Sequence, residues 1–66
     1  MTKYHVTVEK EQTFESKKIY LPYFSTDYTF DEASAREVFE DLKKKFKKKC
    51  YRVALIIQTI SFKTER

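Results

Sequence analysis

Apolar and polar residues alternate over Tyr4-His5-Val6-Thr7-Val8. A period of two predicts a half-buried strand, with Tyr4, Val6 and Val8 facing the core and His5 and Thr7 facing away. The polar stretch Glu9-Lys10-Glu11-Gln12 then suits a hairpin loop of more than two residues. Thr13 to Leu21 predicts a second strand with imperfect parity: Phe14 and Tyr20 share one face, Ile19 and Leu21 the other, and a bulge near Ser16 to Lys18 reconciles them. Pro22 has no backbone donor, so it ends that strand or lies on a sheet edge. Tyr23 to Tyr28 is expected to be a loop.

The period then changes. Ala35, Val38, Phe39, Leu42 and Phe46 recur at intervals of three and four, the stripe of an amphipathic helix expected over Thr29 to Lys49. Thr29 and Glu32 have capping-box spacing, and Tyr28 and Ala33 fall at the positions of a hydrophobic staple. Acidic residues open this segment and lysines close it, which complements the helix dipole. Tyr51 to Phe62 predicts a last strand, with Tyr51, Val53, Leu55 and Ile57 on one face and Ala54, Ile56, Ile60 and Phe62 on the other. A strand apolar on both sides is expected at the centre of a sheet.

These elements give an α+β class: a ββαβ mini-domain spanning residues 1–66, with a three-stranded sheet and one long helix on one face. If the last strand lies beside the first, it is expected to run parallel to it through a right-handed helical crossover.

At 66 residues the chain forms one domain at most. A domain of about 60 residues buries only about 60% of its unfolded surface, so outside support is common. One cysteine excludes an intrachain disulfide, and one cysteine with one histidine excludes a four-ligand zinc site within one chain. No metal or cofactor is expected. Oligomerisation or a partner is the support that remains. The complete lack of glycine excludes phosphate-cradling loops of the P-loop and dinucleotide types. A single free cysteine and no apolar leader predict a reducing, cytoplasmic setting, and no apolar run has membrane-spanning length.

Charge is unevenly distributed. Residues 1–42 carry five basic against nine acidic residues, whereas residues 43–66 carry nine basic against one acidic. The run Lys43, Lys44, Lys45, Lys47, Lys48 and Lys49 around Phe46, extended by Arg52, has two readings. One is a phosphate-backbone contact for nucleic acid, salt-dependent and indifferent to sequence. The other is a solvated helix end with Glu40–Lys44 and Asp41–Lys45 as i,i+4 pairs. A base reader would use more Arg, Asn or Gln.

Three further features bear on partners. Tyr20, Tyr23, Phe24, Tyr28 and Phe30 cluster around Pro22. Phe30 and Tyr20 are expected in the core, and Tyr23, Phe24 and Tyr28 are candidates for a partner surface. The second face of the last strand (Ala54, Ile56, Ile60 and Phe62) is a candidate interface with a protein partner or a second copy, because an uncovered apolar face is a liability. Cys50 is expected to be a buried structural cysteine, and His5 a surface residue. Catalysis is not expected, since acid–base options are few and the chain is too short for an enclosed pocket.

The segment from Thr29-Phe30-Asp31-Glu32-Ala33 through Val38-Phe39-Glu40-Asp41-Leu42-Lys43-Lys44-Lys45, followed by Tyr51-Arg52-Val53-Ala54-Leu55-Ile56, resembles small accessory proteins of bacteriophages and mobile elements. The resemblance covers about half the chain and includes no site motif, so it assigns no residue a role. It implies a small protein that binds and blocks another protein, or one that binds nucleic acid.

Overall fold

The structure is a computed structural model describing residues 1–61. Its elements are β1 (Thr2–Phe14), β2 (Lys17–Ser25), α1 (Glu32–Lys45) and β3 (Tyr51–Thr59), in the expected ββαβ order. The three strands form one antiparallel sheet of order β2-β1-β3. Helix α1 packs across β1 and β3 on one face. The Cα trace measures 52 × 29 × 12 Å, a thickness with room for two layers, so no element among the described residues covers the other sheet face.

β1 is longer than its alternation suggested. Glu9 to Gln12, expected as a loop, continue the strand, and the turn falls at Glu15-Ser16 instead. Phe14 pairs with Lys17 across it, so this is a two-residue hairpin. Both turn residues take positive φ, 51° at Glu15 and 66° at Ser16. That is the geometry that matches strand twist and that usually recruits glycine or asparagine. Because the turn holds two residues, Phe14 shares its face with Ile19 and Leu21 without any bulge near Ser16. The observed bulge lies further on: Glu9 opposes Pro22 and Val8 opposes Phe24, which leaves Tyr23 as the extra residue. Pro22 is tolerated because β2 is an edge strand. β2 therefore takes in Tyr23 and Phe24, which were expected in a loop.

The pairing of β1 continues beyond β2. Val6 N–H donates to Thr26 Oγ1 at 2.9 Å, and Thr26 N–H donates to Val6 O at 2.9 Å. Thr29 and Tyr4 then exchange backbone bonds of 2.9 and 2.7 Å. This bridge corrects the predicted helix start. Thr29 is spent on the sheet, so α1 starts at Glu32 with Asp31 as N-cap, and Glu32 binds Arg36 at 2.9 Å instead of closing a capping box. The Ser34 hydroxyl donates to the Asp31 carboxylate and, with the Ala33 and Ser34 amides, holds that carboxyl below the usual range. At its other end α1 stops at Lys45, four residues short of Lys49, with Phe46 as C-cap.

β3 is an edge strand antiparallel to β1, not a central or parallel one. The hairpin explains this. β2 returns the chain to the start of β1, and one helical pass carries it to the far end, where Tyr51 opposes Lys10. Only a return antiparallel to β1 remains, and the crossover relates β3 to β2.

The core is small. Val6, Val8 and Ala35 alone are fully buried among the described residues, and Phe39, Leu42, Phe46, Val53 and Leu55 are half-buried around them. Phe30, expected in the core, is 63% exposed, and Tyr20 is half-buried on the open face beneath Arg52 at 4.3 Å. Cys50 is free and half-buried.

A left-handed non-glycine residue costs about 1–2 kcal/mol. Ser16→Gly is expected to stabilise the protein by about 1 kcal/mol, and so to raise Tm by about 4–8 °C in thermal unfolding. An unchanged or lower Tm would show that the turn carries no such cost.

Candidate interaction surfaces

The alternation of β1 sorts the sheet into two faces of different chemistry. On the uncovered face the strands place His5, Thr7, Glu9 and Glu11 beside Arg52, Ala54 and Ile56 on one side and beside Lys18, Tyr20, Pro22 and Ser25 on the other. Four of the charges here form two ion pairs. Arg52 binds Glu9 at 2.7 and 2.8 Å, and Lys18 lies 3.7 Å from Glu11. A shallow groove of about 470 Å³ runs over Ala54, Ile56, Thr7 and Gln58, with Tyr28 at its rim. Tyr28 stands edge-on to His5 with ring centroids 4.6 Å apart, and Lys3 Nζ lies 3.9 Å from the Tyr28 centroid. His5 Nδ1 is buried without a hydrogen-bond partner.

The helix-bearing face is different. Beyond the end of α1, β1 and β2 extend as a two-stranded arm whose helix-side positions are Lys10, Gln12 and Phe14 on β1 and Lys17, Ile19 and Leu21 on β2. Apart from Gln12, apolar residues and cations occupy these positions, with no carboxylate among them. At the root of the arm Phe46 closes an aromatic cluster: its ring lies 5.0 Å from Tyr51, 5.6 Å from Phe24 and 5.8 Å from Tyr23. The rings meet edge-on or tilted, a geometry worth about 0.5–1.5 kcal/mol per pair beyond area burial. From this cluster an apolar shelf runs outward, with Tyr23 52%, Leu21 46%, Ile19 40% and Phe14 64% exposed.

The lysine run surrounds Phe46, whose ring packs on Tyr23 at the root of this shelf. Lys43, Lys44 and Lys45 form the last turn of α1, and Lys47 to Lys49 lie in the turn leading to β3. That turn is tied to the arm by a 2.6 Å bond from Glu11 N–H to Cys50 O. Lys43 alone among the six is in an ion pair among the described residues, 3.6 Å from Glu40 at i,i+3, and the expected i,i+4 pairs do not form. Arg52 stands apart from the run, on the opposite face.

The candidate interface residues are thus divided. Ala54 and Ile56 share the open groove with Tyr28, while Tyr23 and Phe24 belong to the aromatic cluster behind it. Ile60 follows β3, with its N–H bonded to Met1 O at 2.7 Å, and Phe62 lies outside the described residues. The shelf residues Phe14, Ile19 and Leu21 were not singled out from the sequence. Their signal was the shared parity of Ile19 and Leu21, which becomes legible once the turn is placed at Glu15-Ser16.

No cluster of three or more His, Cys, Asp or Glu residues able to hold a metal ion occurs among the described residues, and no helix there is long and apolar enough to cross a membrane. Phe46→Ala is expected to lower the unfolding free energy by about 2–3 kcal/mol, below the full-burial range because Phe46 is half-buried. Urea denaturation measures this, and a loss below about 0.5 kcal/mol, the scale of neutral surface changes, would contradict a supporting role for the cluster. Comparison of the chain with protein families, curated proteins and solved structures finds no match.

Proposed function

We propose that this chain is a small protein-binding protein that takes an acidic, amphipathic segment of its partner onto the shelf of the arm. The observation that carries this reading is the shelf itself, on which Phe14, Ile19, Leu21 and Tyr23 lie exposed on the same side of the arm as Lys10 and Lys17. An exposed apolar row is costly in water and favours a partner that covers it. Lys10 and Lys17, with no carboxylate among the helix-side positions of the arm, select against basic partners and steer acidic ones to the site. A chain of this size acts most simply by occluding the surface to which it binds.

Nucleic acid is the competing occupant of the lysines. Two features favour protein. The aromatic rings pack edge-on against one another instead of presenting flat stacking platforms. The outer shelf positions Ile19 and Leu21 are aliphatic, and an aliphatic surface offers bases little.

The test is an NMR titration of isotopically labelled protein with a synthetic helical peptide carrying Glu on one face and Leu on the other. Shifts are expected at Ile19, Leu21, Tyr23 and Lys47 to Lys49. Leu21→Glu is expected to weaken binding about tenfold or more, the loss of about 1.4 kcal/mol. A parallel titration with single-stranded oligothymidylate discriminates the two occupants. Tighter binding of the oligonucleotide, unaffected by Leu21→Glu, would replace this reading with the nucleic-acid one. Absence of peptide binding would remove it.

A further inference from the structure

We infer that two copies of this chain pair through the outer edge of β3, joining their sheets into one six-stranded antiparallel sheet. The inference is independent of the shelf and rests on the difference between the two sheet edges. β2 carries the protections that edge strands use against pairing: Lys17 and Lys18 at its start, Pro22 within it, and a bulge at Tyr23. β3 has none of these. Its nine residues contain no proline, no bulge against β1 and one charge, Arg52, which Glu9 already neutralises.

The backbone of β3 fixes which groups are offered. Glu11 N–H bonds to Cys50 O, and Ile60 N–H bonds to Met1 O. With the register between them unbroken, alternation directs the even-numbered residues of β3 toward β1. The odd-numbered ones point away. The Tyr51 N–H is taken by Lys48 O at 3.0 Å, and no described strand receives the outward groups of Val53, Leu55, Ile57 and Thr59. Ile57, on the helix side of this edge, is 53% exposed.

A second copy fits this edge in three respects. A two-fold axis along the sheet normal makes the new strand pair antiparallel and keeps both helices on one face. Strands lie about 4.8 Å apart, and α1 straddles β1 and β3, so the two helix axes come to about 10 Å from each other, at the upper end of the usual packing distance. The helix flanks that meet are charge-balanced. Val38 marks the flank toward the Thr26–Thr29 loop, so helical spacing puts Glu32, Arg36, Glu40 and Lys43 on the flank toward β3. Two acids and two bases facing their own antiparallel copy are self-complementary.

The test is sedimentation equilibrium on the wild type and two variants. The wild type is expected at twice the 8.0 kDa chain mass. Ile57→Pro removes an outward N–H and leaves the β1–β3 ladder bonds in place, and Ile57→Lys puts an edge-protecting charge there without touching the backbone. Both are expected to weaken self-association at least tenfold with the far-UV spectrum preserved. Should Ile57→Pro fail to fold, Ile57→Lys decides alone. A monomeric wild type at hundreds of micromolar would overturn the inference, as would a dimer that persists in folded Ile57→Lys.

Discussion

Backbone hydrogen bonding along both edges of β1 is the constraint on which the fold depends. On one edge β3 pairs from Thr2 to Lys10; on the other, β2 pairs from Thr7 to Phe14, and Thr26 and Thr29 carry the pairing back to Tyr4. Buried backbone groups without partners are expensive, so a strand paired on both sides through its middle, from Tyr4 to Lys10, fixes the positions of its neighbours. It also supplies two of the three fully buried side chains, Val6 and Val8, and the helix only has to set Ala35 over them. With so little core, the ladder and not side-chain packing sets the architecture.

The double pairing also decides which surfaces are left open. One helical pass, 14 residues or about 21 Å, covers the end of the sheet where β1 starts and cannot reach the hairpin tip. The arm therefore keeps an open apolar row, with Lys10 and Lys17 as the charges among its helix-side positions. On the reverse face Glu9, Arg52, Glu11 and Lys18 neutralise one another.

Much of this was legible from the sequence, and the misses have identifiable physical causes. The facing of Tyr4, Val6 and Val8, the centre of the helix and the two faces of Tyr51 to Ile57 follow from periodicity, and the structure has them as expected. Periodicity failed where the side chains of a strand are polar for a reason other than a turn: Glu9 pairs with Arg52 directly across on β3, and Glu11 with Lys18 diagonally across on β2. Without glycine, the Glu15-Ser16 turn carried no sequence mark. Thr29 looked like a cap because a threonine bonded to a strand and a threonine at an N-cap are identical in sequence. The direction of β3 differs from the expectation because the helix crossover joins it to β2, not to β1. The shelf was hidden for the same reason as the turn, since its members fall on one face only when the hairpin register is known.

Native-state hydrogen exchange followed by NMR tests the primacy of β1 most directly. The account predicts that amides of residues 5–9 exchange only through global unfolding, and that residues 13–18 at the hairpin tip exchange through local opening and orders of magnitude faster. The helix should fall between them. Protection greatest in α1, with β1 opening before it, would contradict a fold organised on its first strand.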